Sequence, residues 1–542
     1  MSGQTENRLL PRPGEVKLRL YGQGLGDCFL LAFPRQEKPD DPCYLVIDCG
    51  VAKSTPDKAL RTRKIVENLR SATGGHIDAL AITHQHYDHI SSFQDAWQEW
   101  KKITVDALYL PWTETTAETG EHSSTGDFRK ILDRAAKKAL EKAAAAGIVD
   151  IHPGFRAEAD FLGIDLAAAG EGGGTGPADM DQAMAFARGL CPPGKIRYFE
   201  PGDVFRLPAT DFHGYVLGPP LPDKVNPKGK KYIELLADGS DGAMYSYGLL
   251  GMKVDAGKPG GANAFALSDD HSLPALASAL LAADAPSRDG DEGFSPFAPE
   301  IRLDWDNAMA SPFFRKHYSE KERGEEGAWR RVDTDWLAGA ASLALRAGAF
   351  TNNVSLVLAF DIPGSEKMLL FPGDAQVGNW LSWHTIEAWS FRDSMPENPP
   401  LAKEGGKKKE TLMENLLSRV AFYKVGHHAS HNATLKDKGL EKMTRDDLVA
   451  FIPVSVPVAQ DLMGYCPMPF YPVVRALQVK TKGRVFLANG RAVEPRPEGK
   501  TDEDLLMESG IVRSQETLPR KMQGDNLLEG EVPLYLEMTL KG

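Results

Sequence analysis

The sequence predicts an α/β protein in which helices cover β-sheets. Two observations predict this class: short apolar strands alternate with amphipathic helices through residues 17–110, and a second series of strands with an intervening helix follows after residue 350. Hydrophobic residues make up 42% of the 542-residue chain and charged residues 25%, as in ordinary soluble globular proteins. The chain is long enough to bury a large core.

Each predicted element has a local signal. Period-two or continuous apolar runs mark strands, apolar residues spaced three to four apart mark helices, and glycine-containing turns separate them. In chain order the predicted elements are strands at 17–21, 28–33 and 44–47, a helix at 58–70, a strand at 77–83, a helix at 91–100, a strand at 105–110, β-structure at 196–220, strands at 354–360, 367–371, 422–425 and 449–456, a helix at 473–479, and strands at 484–487 and 532–540.

Two long stretches interrupt this pattern. They contain predicted helices at 127–146 and 273–283 but show no motif that we recognise. We therefore divide the chain into a core with insertions: first half of the core 1–115, helical and loop insertion 116–195, core strands 196–220, inserted cap 221–349, second half of the core 350–495, and C-terminal extension 496–542.

Charge and cysteine content restrict the function. The net charge of −12 disfavours a general nucleic-acid coat protein, although it leaves room for an enzyme with bound cations. The five cysteines form no CxxC pair, which favours reduced thiols. The start of the chain lacks an apolar signal core, and no apolar stretch is long enough to cross a bilayer. We expect a cytoplasmic protein without a membrane partner.

A cluster of possible metal ligands follows the strand at 77–83. His84, His86, Asp88 and His89 lie within six residues of one another. Alternate side chains of an extended segment share a face, so His84 and His86 can converge on one ion, and Asp88 and His89 can reach a second. Imidazole and carboxylate are suitable ligands for Zn²⁺ or Mn²⁺, with Fe²⁺ as an alternative.

Two further segments place candidate ligands after strands. Asp374 follows the strand at 367–371 in Pro372-Gly373-Asp374, which by itself is an ordinary turn sequence. His427 and His428 follow the strand at 422–425. The order along the chain, strand then HxHxDH, strand then GD, strand then HH, makes the three segments one set.

The set resembles the metallo-β-lactamase-fold hydrolases, and within them the nuclease-type domain of DNA-internalisation competence proteins. The matching segments are 22–28, 45–50, 77–89, 217–220, 352–358, 370–375 and 424–430. This resemblance implies an αββα sandwich with large insertions and a dinuclear metal centre.

The resemblance also implies roles for the candidate residues. One ion would be held by His84, His86 and Asp374, and the other by Asp88, His89, Asp374 and one histidine of the 427–428 pair, so that Asp374 bridges. We prefer His427 as the ligand because it follows the strand more closely, which leaves His428 to contact the substrate or protonate the leaving group. Asp88 and His428 are the expected catalytic residues, and Asp48 is expected to orient the metal-binding loop through hydrogen bonds.

The sequence departs from the family pattern at two points. Many members supply a further metal-binding histidine between the first motif and the GD aspartate; the candidates here are His122, His152, His213 and His271, none within a recognisable motif. Ala429 stands where the family has glycine.

Three functions remain open at this stage. The first is a phosphodiesterase or nuclease that uses two divalent ions and acts on a phosphate-containing substrate, with nucleic acid as one candidate. The second is a metal hydrolase of a small ester, lactone or amide. The third is a catalytically inactive interaction module. A protein partner is compatible with each, and the fold itself does not choose among them.

Overall fold

The computed structural model describes residues 7–38, 40–115, 136, 159–163, 180–234, 305–318, 347–392, 411–462, 468–519, 521–523 and 526–542. Apart from Ala136, the helices predicted at 127–146 and 273–283 lie outside these residues. Numbered in chain order, the strands are β1 (Glu15–Tyr21), β2 (Cys28–Phe33), β3 (Cys43–Cys49), β4 (His76–Ala81), β5 (Thr104–Pro111), β6 (Ile196–Phe199), β7 (Asp203–Arg206), β8 (His213–Gly218), β9 (Val357–Asp361), β10 (Met368–Phe371), β11 (Ser390–Phe391), β12 (Val420–Lys424), β13 (Val449–Ile452), β14 (Val485–Leu487), β15 (Ile511–Arg513), β16 (Thr517–Leu518), β17 (Lys521–Gln523), β18 (Asn526–Glu529), β19 (Val532–Pro533) and β20 (Tyr535–Lys541).

Within the described residues these strands form two eight-stranded sheets and two small two-stranded pairs. The first sheet has the order β15-β20-β1-β2-β3-β4-β5-β6, and the second has the order β11-β7-β8-β9-β10-β12-β13-β14. Strands β3 to β6 run parallel, as do β10, β12, β13 and β14. The carboxyl ends of these parallel strands therefore gather at one edge of each sheet.

Helices cover the outer face of each sheet. The described α-helices are Lys58–Thr73, Tyr87–Ile90, Ser92–Asp95, Trp97–Trp100, Met180–Gly189, Trp305–Ala310, Pro312–Tyr318, Val377–Trp383, Leu412–Ser418, Tyr471–Lys480 and Asp502–Glu508. Side chains of the two sheets interdigitate in one buried cluster, for example Phe29 with Phe371, whose ring centroids are 5.5 Å apart. Two other clusters join the outer faces to helices, so the layers follow the order α, β, β, α. The predicted sandwich is confirmed.

The local sequence patterns predicted most helices and strands to within a few residues, with two differences. The helix predicted at 91–100 is divided into Ser92–Asp95 and Trp97–Trp100, because Ala96 leaves helical geometry at φ −127° and ψ 29°. The strand predicted from Val354 begins only at Val357. The preceding residues 347–353 are helical, so the chain turns before it enters the sheet.

The end of the chain contributes to the first sheet. Strand β20 pairs antiparallel with β1 along its whole length, from Glu15 opposite Lys541 to Tyr21 opposite Tyr535. Its alternate residues Leu536, Met538 and Leu540 are buried between the sheets. Part of the predicted extension 496–542 thus pairs with β1 and packs into the core between the two sheets.

Two other sequence expectations concern cysteines and membranes. Cys28, Cys43, Cys49 and Cys191 are buried free thiols, whereas Cys466 lies outside the described residues. In the part of the chain that the structure describes, no helix combines the length and apolar character needed to cross a membrane.

The role of β20 in the core can be tested by two neighbouring substitutions. Met538→Ala should lower the free energy of unfolding by about 2–5 kcal/mol because Met538 is fully buried and its loss leaves a cavity. Thr539→Ala, on the partly exposed face, should cost less than about 1 kcal/mol. Urea unfolding measures both values. Equal effects would show that β20 does not pack as described.

Candidate metal centre

The predicted ligand segments meet at the carboxyl ends of strands from both sheets. The segment Thr83–His89 follows β4, Asp374 follows β10, and His427 and His428 follow β12. The backbone N–H of Leu356 donates to Thr83 O at 2.9 Å, which joins the loop after β4 to the second sheet. The parallel directions of these strands explain why segments far apart in sequence come together.

Four of the predicted residues form one compact group. Asp88, His89, Asp374 and His428 each offer a ligand atom, and all these atoms lie within 4.8 Å of one another. His428 Nε2 is 2.9 Å from Asp88 Oδ2, and His89 Nε2 is 3.3 Å from Asp374 Oδ2. All four side chains are fully buried. This group has the donor set and spacing of a divalent-metal site.

His84 and His86 form a second, smaller group. His84 Nε2 is 3.1 Å from His86 Nδ1, and the rings of His84 and His89 have centroids 4.1 Å apart. Thr83 Oγ1 and Ser355 Oγ lie 3.0 and 3.3 Å from His84 Nδ1. The structure thus places two neutral-ligand candidates beside the four-residue group.

The histidine pair after β12 is arranged differently from our preference. His428, not His427, belongs to the four-residue group. The reason is the backbone: His427, His428 and Ala429 have φ values of 42°, 50° and 60°, so the chain makes a left-handed turn that redirects each side chain. His427 Nε2 lies instead 3.4 Å from Asn352 Nδ2.

Hydrogen bonds on the outer side of the group fix the ligand atoms. His89 Nδ1 is 2.9 Å from Asp48 Oδ2, and His428 Nδ1 is 2.9 Å from the carbonyl oxygen of Pro453. When Nδ1–H donates in this way, Nε2 is left with its lone pair toward the centre. Asp48 also accepts from the backbone N–H and the hydroxyl of Thr83, at 2.8 and 2.7 Å. The geometry is that of the orienting residue expected from sequence.

Close backbone packing positions the same loop. A Cβ on Gly50 would overlap the backbone of Asp88 and His89, so only glycine allows β3 to end against this turn. Asp27 N donates to Asp88 O at 3.0 Å, and Gly50 N donates to Asp27 O at 3.0 Å. These contacts hold Asp88 in place through its main chain.

Lys424 and Asp27 are functional candidates that sequence reasoning did not assign. Lys424 Nζ is buried 2.5 Å from Asp27 Oδ2 and 3.2 Å from Asp374 Oδ1, and it donates to Gly373 O at 2.7 Å. The ammonium group therefore pairs with Oδ1 of Asp374, and Oδ2 remains on the side of the histidines. A lysine in the otherwise apolar strand β12, directly before the histidine pair, was the signal that could have indicated this.

The charges of the centre shift its pKa values strongly. Burial alone would lower the pKa of His89, but Asp374 and Asp88 outweigh it and raise that pKa well above its ordinary value. Burial opposes the charge of Asp374 too, yet His89 and Lys424 hold its pKa well below the usual range. Burial lowers the pKa of His86 to about 4. The buried carboxylates thus favour positive charge in the centre, which a metal ion could supply.

Several buried polar atoms of the centre have no hydrogen-bond partner among the described residues. They are His86 Nε2, Asp88 Oδ1, His89 Nε2, Asp374 Oδ2 and His427 Nδ1. Buried polar atoms are normally paired, because desolvation without a partner is costly. Neighbouring imidazole nitrogens and carboxylate oxygens that lack hydrogen-bond partners are suitable ligands for one or more divalent ions.

Of the four candidates for a further metal-binding histidine, only His213 is described. His213 lies at the start of β8 and pairs, at 3.0 Å, with Asp361, the last residue of β9. Ser355, which contacts His84, precedes the other end of β9. Six extended residues span about 20 Å, so His213 is remote from the centre. His122, His152 and His271 lie outside the described residues.

One comparison with known proteins gave a match. Residues 22–180 match the sequence model of a family described as the Metallo-beta-lactamase superfamily. Searches of curated proteins and of solved structures gave no match. The matched range includes His84, His86, Asp88 and His89, while the remaining members of the centre lie further along the chain.

The orienting function of Asp48 can be measured as metal affinity. Asp48→Asn should weaken binding of the tightest divalent ion about 10–100-fold, because an amide cannot accept from both Thr83 and His89 Nδ1. A competition titration of Zn²⁺ against a fluorescent chelator gives the constant.

The matched control for this prediction is Asp78→Asn. Asp78 is also buried, but it accepts from Tyr44 N at 2.8 Å and pairs with Arg35, and neither partner belongs to the centre. This substitution should reduce stability and leave Zn²⁺ affinity unchanged. A similar loss of affinity in both variants would contradict a specific orienting role for Asp48.

Proposed function

Because residues 22–180 match the sequence model of the Metallo-beta-lactamase superfamily, we propose that the protein is a metal-dependent hydrolase of phosphodiesters. The observation that carries the proposal is the buried group Asp88, His89, Asp374 and His428. Its ligand atoms lie within 4.8 Å of one another, and three of its members, Asp88, His89 and Asp374, carry an atom without a hydrogen-bond partner among the described residues. The choice of phosphodiesters is supported by the combination of motifs around this group, which resembles nuclease-type domains.

The proposed ligand assignment combines the family resemblance with the hydrogen bonds around the centre. Asp88, His89 and His428 would hold one ion, His84 and His86 a second, and Asp374 both. Divalent ions at these positions would lower the pKa of water toward neutrality and polarise the phosphoryl oxygen. Asp48 and Pro453 orient the Nε2 atoms of His89 and His428, and Lys424 keeps one oxygen of Asp374 away from the ions.

His427 would then be free to contact the substrate. Its backbone N–H donates to Asp374 Oδ1 at 3.1 Å, which places the residue beside the centre, while its Nδ1 has no partner among the described residues. With Asn352 Nδ2 donating to Nε2, the proton of a neutral His427 resides on Nδ1. Nδ1–H could stabilise charge that develops on a phosphoryl oxygen.

A second candidate function, hydrolysis of a small ester, lactone or amide, is favoured by one observation. Phe161, from the predicted insertion 116–195, stacks on His86 with ring centroids 5.5 Å apart. An apolar side chain at the metal-binding histidines suits a small uncharged substrate.

Turnover assays distinguish the two functions. With Zn²⁺ or Mn²⁺ added, the protein should hydrolyse bis-p-nitrophenyl phosphate, because the centre is expected to stabilise charge on a phosphoryl group. The double variant His86→Ala with Asp88→Ala serves as the negative control. Turnover of esters or lactones without any turnover of phosphodiesters would replace the first function by the second, and a protein inactive on all of these substrates would contradict both.

The ligand assignment predicts opposite behaviour of two adjacent histidines. His428→Ala should weaken the tightest Zn²⁺ site by more than the roughly 10–100-fold that loss of an outer partner costs, because it removes a ligand. His427→Ala should leave Zn²⁺ affinity unchanged and reduce kcat, by about 10²-fold if it donates to the transition state. Isothermal titration and steady-state kinetics measure these effects. Loss of Zn²⁺ in His427→Ala instead would reverse the assignment.

A further inference from the structure

A short segment of the predicted insertion 116–195 reaches the metal-binding histidines. Residues 159–163 lie against the centre, and Phe161 is 5% exposed. Its ring is nearly parallel to that of His86, at 17°, and its centroid is 5.8 Å from that of His427. Phe161 therefore lies between a proposed metal ligand and the residue proposed to contact substrate.

Asp160 anchors this segment to the core. Its carboxylate accepts hydrogen bonds from Lys53 N at 3.1 Å, Ser54 N at 2.6 Å and Ser54 Oγ at 2.6 Å. Lys53 and Ser54 belong to the loop that follows β3, the strand that carries Asp48. Burial raises the pKa of Asp160 to about 7, although the bonds from Ser54 oppose the rise, and the charge of Asp88 adds to it. Asp160 is thus close enough to the centre to respond to Asp88.

The centre itself is recessed. His86 is 1% exposed, and Asp88, His89, Asp374 and His428 are fully buried. The ring of Phe161 lies against His86 and His427, so a phosphate group that contacts these two residues must fit beside it. The phosphates of a rigid double helix lie on a wide cylinder, and the net charge of −12 repels such a polyanion.

We propose that Phe161, fixed by Asp160, sets the size of the substrate, so that the centre accepts small phosphodiesters and excludes duplex nucleic acid. The proposal rests on the proposed function and specifies its substrate class. Phe161 is the specificity-determining residue, and Asp160 is a positioning residue that acts through it.

The kinetic test compares substrates of two sizes. The ratio of kcat/KM for thymidine 5′-(p-nitrophenyl phosphate) to that for bis-p-nitrophenyl phosphate should rise at least about tenfold in Phe161→Ala, since a missing group at a pocket wall changes discrimination by this amount. Wild type should not cleave duplex DNA. Leu162→Ala, at a neighbouring residue that is 6% exposed, is the matched control and should leave the ratio unchanged. An unchanged ratio in Phe161→Ala would overturn the proposal.

A second variant and a second measurement keep the test independent of stability and activity. Phe161→Leu removes less volume and should shift the ratio in the same direction. In metal-free protein, diethyl pyrocarbonate should modify His86 and His427 faster in Phe161→Ala than in wild type, with His213 as the internal reference, because the ring of Phe161 covers both histidines. Equal rates would overturn the size restriction. If wild type hydrolyses no phosphodiester but the modification rates of the two proteins differ, the proposed function is contradicted. The restriction of access by Phe161 is then still supported.

The positioning role of Asp160 is tested by a double-mutant cycle. Asp160→Asn should raise the same kcat/KM ratio, because an amide cannot accept from all three donors of Lys53 and Ser54. Residues that act through one another give non-additive effects, so Asp160→Asn should add little in the Phe161→Ala background. Additive effects, or loss of bound Zn²⁺ in Asp160→Asn, would show that Asp160 does not act through Phe161.

Discussion

The compensation of buried negative charge determines how the rest of the centre is built. Asp27, Asp48, Asp88 and Asp374 are all at most 1% exposed. Buried carboxylates are unfavourable unless cations and hydrogen bonds compensate them. Lys424 neutralises part of this charge through Asp27 and Asp374. The negative charge that Lys424 leaves uncompensated raises the pKa values of histidines in the same group. In such an environment a divalent ion can replace protons.

The candidate ligands could be predicted because they belong to local patterns. His84 to His89 and Asp374 follow apolar strands directly, and parallel strands bring such positions to one edge. Which of His427 and His428 joins the four-residue group could not be predicted, because it depends on a left-handed turn in residues that seldom adopt one. The burial of Lys424 in the centre was equally hard to predict, since a lysine at the end of a strand usually points to solvent.

Long-range contacts explain the other differences. Strand β20 was predicted as a strand, but its partner β1 lies at the other end of the chain, and periodicity carries no information about partners. The same holds for Phe161, whose neighbours His86 and His427 are far away in sequence. The predicted insertion 116–195 has no recognisable motif, yet its residue Phe161 lies against the centre. Residues that restrict a site need only the right shape and place, whereas ligands need a particular chemistry.

The two halves of the proposed centre differ in charge, and this difference bears on the substrate. The first half contains two carboxylates, Asp88 and Asp374, whereas burial lowers the pKa of His84 well below its ordinary value and that of His86 to about 4. An ion beside the two histidines would share only Asp374. A phosphodiester brings its own negative charge to that position, and an ester or lactone does not. On the proposed ligand assignment, an anionic substrate would strengthen the binding of the more weakly held ion, and that ion would strengthen the binding of the substrate by the same factor.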